Sequence, residues 1–125
     1  LKINHDKTVA EVTAVFARYE TALVENDVAQ LDLLFWDSQH TVRYGVAENL
    51  YGFQEIAAFR AQRPAAGLAR SIARSVITTF GDDFATTSIE FVRDSGARGR
   101  QSQTWVRFEN GWRVVAAHVS LMQSA

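Results

Sequence analysis

Residues 71–122 read SIARSVITTF GDD FATTSIEFVR DSGA RGRQSQTWVRF ENG WRVVAAHVSLM, and this stretch decides the fold. The runs Ser71–Phe80, Phe84–Arg93, Arg98–Phe108 and Trp112–Met122 are rich in β-branched and aromatic residues, and Gly, Asp, Ser and Asn cluster between them. Side chains of the first kind suit a pleated, half-buried surface, and those of the second kind suit turns. Asn110-Gly111 between two apolar runs is the strongest short-range hairpin signal. Long strands joined by turns this short form an antiparallel meander, and a sheet of that length must twist.

The chain before the meander reads differently. Thr8-Val9-Ala10-Glu11 has capping-box spacing, which predicts a helix start there. Val9, Val12, Phe16, Tyr19 and Leu23 recur at steps of three and four, an apolar stripe on a helix running to about residue 25. Asn26-Asp27 ends it, and Asp27-Val28-Ala29-Gln30 opens a short second helix with Val28, Leu31, Leu34 and Phe35 inward. Thr41 to Val46 alternates as a short strand that Gly45 weakens at its end. Tyr51-Gly52 starts a third helix presenting Ile56 and Phe59, and Pro64 stops it. Helices first and a meander after predict an α+β fold with the helices on one face of the sheet. Bent around them, the sheet becomes a cone whose wide end leaves a cavity.

Length and composition bound the rest. A chain of 125 residues, 47% hydrophobic, makes one domain, residues 1–125, with a real core. A net charge of −1 argues against nucleic acid as a partner. No apolar run approaches the roughly 18 residues of a membrane helix, and Leu1 to Asp6 lacks the apolar segment of a signal peptide. The expectation is therefore a cytoplasmic protein with no membrane partner. The positive charge comes almost wholly from arginine, with Lys2 and Lys7 the sole lysines. Arginine's planar fork grips carboxylates bidentately, so the bias hints at anionic ligands, although high genomic GC content produces the same bias. There is no cysteine, hence no disulfide and no thiol nucleophile.

Several side chains could carry chemistry. Tyr19 lies on the buried stripe, either as a core residue bonded to a backbone carbonyl or as a proton donor facing the cavity. Arg43, mid-strand in Thr41-Val42-Arg43-Tyr44-Gly45, is either an edge residue facing water or a paired one. Arg60, Arg63, Arg70 and Arg74 surround the Pro64 turn and read mostly as a solvated face. Arg70 is the exception, since it opens a strand beside Ile72, Val76 and Phe80. Strand alternation puts His118 on a face with Val114, Ala116 and Ser120, and Gln103 and Trp105 on one face of the strand before it. The three histidines show no metal-ligand spacing, and neither a phosphate loop nor a nucleophile elbow is present. Glu90 is the sole carboxylate well inside a long strand, so a carboxylate-base isomerase finds little support.

The order of elements and several local runs carry a resemblance. These runs are Thr41-Val42-Arg43-Tyr44-Gly45, Phe59-Arg60-Ala61-Gln62-Arg63-Pro64, Gly67-Leu68-Ala69-Arg70, residues 99–105 (GRQSQTW) and Ala116-Ala117-His118-Val119-Ser120. With them the chain resembles, over nearly its whole length, the AtzH/HpxZ group of the NTF2-like (SnoaL-type) superfamily. That group is linked to cyanuric acid and oxalurate catabolism. The resemblance implies an NTF2-like cone and a cofactor-independent decarboxylating amidohydrolase of s-triazine breakdown, converting 1,3-dicarboxyurea to allophanate and carbon dioxide. It implies catalytic roles for Tyr19 and Arg43, whose phenol and guanidinium suit proton donation and carboxylate binding. Arg70 then suits the second carboxylate, and Gln103, Trp105 and His118 are expected in the lining. A non-catalytic small-anion-binding or dimerisation module, or an isomerase or dehydratase of the same fold, stays open. A Glu90 or Glu48 beside His118 would favour the isomerase. A homodimer through the exposed sheet face is expected, with Trp105 and Trp112 as contacts.

Overall fold

In a computed structural model, which describes residues 1–124, the elements follow in the order α1 (Asp6–Val24), α2 (Val28–Leu34), β1 (Val42–Tyr44), β2 (Asn49–Tyr51), α3 (Phe53–Gln62), β3 (Arg70–Phe80), β4 (Phe84–Arg93), β5 (Arg98–Phe108) and β6 (Gly111–Leu121). The strands make one six-stranded sheet in the order β2-β1-β6-β5-β4-β3. The meander β3 to β6 is antiparallel, while β1 joins β6 in parallel and carries β2 outside it. The three helices cover one face of this curved, open sheet, as the α+β reading requires.

Two bulges shape the sheet and set which side chains face inward. In β6 the register against β5 steps from Thr104↔Ala116 to Trp105↔Val114, leaving Val115 as an extra residue. In β3 it steps from Ile72↔Phe91 to Arg74↔Glu90, leaving Ala73. An extra residue bends its strand and reverses the in-out alternation beyond it. Beyond Val115, Ala117 and Val119 turn inward and His118 turns out, against the alternation read from the sequence. Beyond Ala73, Val76 lies on the outer face while Arg70 and Ile72 share the inner side with Phe91.

The core lies between α1 and the inner sheet face. Val12, Val15, Phe16, Tyr19 and Leu23 of α1 pack with Phe35, Phe91, Trp105 and Val114. Tyr19 is central, with ring centroids 6.4 Å from Phe16, 6.3 Å from Phe35 and 6.5 Å from Trp105. Three local expectations are corrected. Helix α1 begins two residues before Thr8, with His5 at its cap position, and Thr8 is buried within it. The three-residue β2 was too short to show in the sequence pattern, and Tyr51 belongs to it. Trp105 and Trp112 are buried on the inner face and offer no surface to a second copy. Asp27 caps α2 as read, its carboxylate accepting from the Gln30 amide at 3.2 Å.

Gly99 faces Phe91 across the β4–β5 ladder, and a Cβ there would fall 2.2 Å from the ring. The ring is buried and cannot step aside. Gly99→Ala should therefore destabilise the fold by about 1–3 kcal/mol, read as a lowered urea midpoint at unchanged slope; an unshifted midpoint would mean that the ring is not held there.

Candidate anion-binding cavity

At the wide end of the cone α1, β1, β3, β4, β5, β6 and the loop after α3 enclose a small cavity of about 40 Å³. It opens onto a vestibule of about 250 Å³ that shares Arg43, Arg63, Gly67, Leu68, Arg93 and Val119 with it. Tyr19, Arg43 and Arg70 all line the inner cavity, so three of the six side chains singled out in the sequence meet there. Gln103 and Trp105 lie on the same inner sheet face but behind the cavity. Trp105 donates from Nε1 to Thr87 Oγ1 at 3.1 Å, and Thr87 donates to Gln103 Oε1 at 3.2 Å. His118 is corrected outright: it stands exposed on the outer face, edge-on to Tyr44 at 5.6 Å.

The cavity is strongly cationic. Four guanidinium groups, Arg43, Arg63, Arg70 and Arg93, line it. Two carboxylates answer them. Glu48 accepts from Arg43 Nη1 at 2.8 Å, and Glu20 accepts from both Nε and Nη2 of Arg70. Neither Arg63 nor Arg93 has an ion-pair partner among the described residues. A net excess of two positive charges therefore stands around a small, mostly enclosed space.

Two of these cations, and a third behind them, are held by the scaffold. Arg43, 8% exposed, lies 5.5 Å above the Phe59 ring. Its pair with Glu48 needs Gly45, since a Cβ there would fall 1.6 Å from the Glu48 carboxylate. Arg70 lies 4.4 Å over Phe91 and also donates to Gln101 Oε1 at 3.1 Å. Behind the cavity, Arg60 is 3% exposed, bonded to Asp32 at 2.7 Å and stacked 4.5 Å over Phe35. Burial holds its pKa below the ordinary arginine value, while Tyr19 and Asp32 oppose that shift.

Arg63 was missed in the sequence because it looked like part of a solvated face. A residue before proline is pushed out of helical geometry, and Arg63 leaves α3 at φ −69°, ψ 133°. That exit points its guanidinium toward the cavity. Its Nε and Nη2 are buried without a hydrogen-bond partner among the described residues. Burial first, then the Arg43 charge, lowers its pKa from the ordinary value. Since arginine does not deprotonate in proteins, the shift registers an unfavourable buried charge rather than a neutral group. Gln101 was missed too, although it shares strand parity with Gln103 and Trp105. It is 3% exposed, lines the cavity, and leaves Nε2 unpartnered. No three His, Asp or Glu side chains among the described residues come together in a way that could hold a metal ion.

The AtzH-like family model matches residues 1–125. The chain belongs to the AtzH-like family. Within reach of this family stands a Pectobacterium atrosepticum protein of unknown function from the DUF3225 family, 57% identical, with a TM-score of 0.95 over 97% of this chain and 95% of that one. A cystatin-like fold protein from Burkholderia xenovorans is 46% identical, with a TM-score of 0.94 over 99% and 98% of the two chains. A Salmonella enterica protein of the NTF2-like superfamily, 24% identical with a TM-score of 0.77 over 95% and 94%, shares the fold. No functionally curated protein matches the chain. The AtzH-like chain thus has the NTF2-like architecture expected of it, and no helix among its described residues is long and apolar enough to cross a membrane.

Arg70 and Glu20 are a nearly buried pair, with side chains 5% and 14% exposed. Removing one partner strands the other charge, so Arg70→Met should cost about 3–5 kcal/mol of stability. Adding Glu20→Gln should recover much of it in a chemical denaturation cycle. Additive losses would mean that the two groups do not depend on each other.

Proposed function

We propose that this protein is a decarboxylating amidohydrolase that converts 1,3-dicarboxyurea to allophanate and carbon dioxide, acting in the cytoplasm on a small dicarboxylated urea. The observation that carries the reading is the cavity itself. A phenol and four guanidinium groups line it, with two positive charges in excess. A small dianion balances that excess, whereas a neutral substrate would leave it uncompensated.

The chemistry follows from the residues present. Arg43 offers a planar fork to one carboxylate and orients it. When carbon dioxide leaves, the N–C bond breaks and its electron pair stays on the urea nitrogen. The phenol of Tyr19 supplies a proton to that nitrogen, and water restores the phenol. One proton is taken up and one carbon dioxide lost, which turns the dianion into the allophanate monoanion. The surrounding guanidinium groups stabilise negative charge as it spreads over the urea nitrogen and oxygen, and the enclosure strengthens that effect.

The isomerase or dehydratase reading needs a free base in the cavity. Glu20 and Glu48 are both tied to arginines, and Glu90 is exposed and paired in register with Arg100 and Arg74. A non-catalytic anion-binding module would bind the same dianion and release no carbon dioxide, so a direct assay separates it from the enzyme.

Tyr19→Phe should lower carbon dioxide release from freshly prepared 1,3-dicarboxyurea by about 10²–10⁴-fold, with thermal unfolding still cooperative. Near-normal release would remove Tyr19 from the reaction. Arg43→Lys keeps a charge and loses the fork, and should also fail in the same assay; an unchanged rate would reduce Arg43 to a charge effect.

A further inference from the structure

Buried hydrogen-bond donors in folded proteins have partners, and a buried guanidinium without one is costly. Two residues that line the cavity carry three donor atoms that break this rule among the described residues: Nε and Nη2 of Arg63 and Nε2 of Gln101. They come from different elements, Arg63 from the end of α3 and Gln101 from the first half of β5. The Gln101 amide is not free to turn over. Arg70 Nη2 donates to its oxygen at 3.1 Å, which fixes the oxygen toward Arg70 and leaves the amino group for another acceptor. Arg70 is in turn held by Glu20. The Glu20–Arg70–Gln101 chain is thus a device that keeps a donor unoccupied.

We infer that Arg63 and Gln101 form a second carboxylate subsite, distinct from Arg43, and that this subsite selects dicarboxylates over monocarboxylates. Arg70, expected from the sequence to take the second carboxylate, is a positioning residue instead, because Glu20 already occupies its fork. The two subsites are electrostatically unequal. Glu48 largely neutralises Arg43, while Arg63 has no counter-ion among the described residues. A carboxylate at Arg43 therefore loses little attraction on becoming neutral carbon dioxide, and one at Arg63 would lose much. The carboxylate at Arg43 departs and the one at Arg63 and Gln101 is retained. This assignment of ends rests on the proposed decarboxylation; the subsite itself does not.

The test is calorimetric binding of two unreactive probes at low ionic strength. Glutarate matches the spacing between the two carboxylates of 1,3-dicarboxyurea, and butyrate is glutarate with one carboxylate removed. The wild-type protein should bind glutarate more than about tenfold tighter than butyrate. Arg63→Met should weaken glutarate binding by between about tenfold and a hundredfold and erase the preference for glutarate over butyrate. It should also raise the melting temperature of the ligand-free protein, since an unpaired buried charge is gone. Gln101→Leu should shift the same preference by a smaller factor. Arg63→Lys keeps the charge without the fork, so it gives an intermediate loss and serves if the Met variant does not fold. A glutarate preference that survives in the Arg63 variants overturns the subsite, as does a wild-type protein that binds both probes equally or neither. Carbon dioxide release with the preference unmoved sinks the subsite alone. A lost preference in a protein that releases no carbon dioxide sinks the reaction alone.

Discussion

Four guanidinium groups converge on one end of this fold, and two carboxylates stand there to answer them. Gathering like charges in a water-poor space is unfavourable, and the interior must be built to tolerate it. Aromatic rings take up part of the strain. Phe59, Phe35 and Phe91 each lie under a guanidinium, of Arg43, Arg60 and Arg70 respectively. Ion pairs take up more, through Glu48, Asp32 and Glu20. The charge that the ion pairs leave over, on Arg63 and Arg93, is the property of the site.

The fold supplies the means to hold that arrangement. Parallel pairing of β1 with β6 sets Arg43 opposite Ala117, beside the strand that carries Gln101. The bulge at Ala73 restores Arg70 to the inner side at the far end of the sheet. Pro64 ends α3 and swings Arg63 inward. Close approach of Phe91 over Gly99 lets the ring lie flat beneath Arg70. Each of these is a backbone device serving a charge.

Much of the architecture was legible in the sequence, because strand alternation and turn chemistry act over short range. The limits of β4 and β5 were read without error, and β3 and β6 to within one residue. What escaped depended on single inserted residues. Nothing in Val114-Val115-Ala116 marks a bulge, yet it decides that His118 faces out. Tyr19 and Arg43 were found through the family resemblance more than through their own pattern, which left each of them with two readings. Arg63 escaped because a cluster of arginines around a turn looks like a wet surface until the helix end is seen to turn inward. Gln101 was accessible by parity alone, since it stands two residues before Gln103 on a strand whose inner face was already recognised.

The claim beneath all of this is that the cone holds a cationic cavity kept open for a small dianion. A crystal structure grown or soaked with glutarate at low ionic strength tests it most directly. The account predicts one ordered glutarate in the cavity, one carboxylate on Arg43 near Tyr19 and the other on Arg63 and the Gln101 amide. An empty cavity with Arg63 bonded to a protein carboxylate, or glutarate bound only on the outer surface, would contradict it.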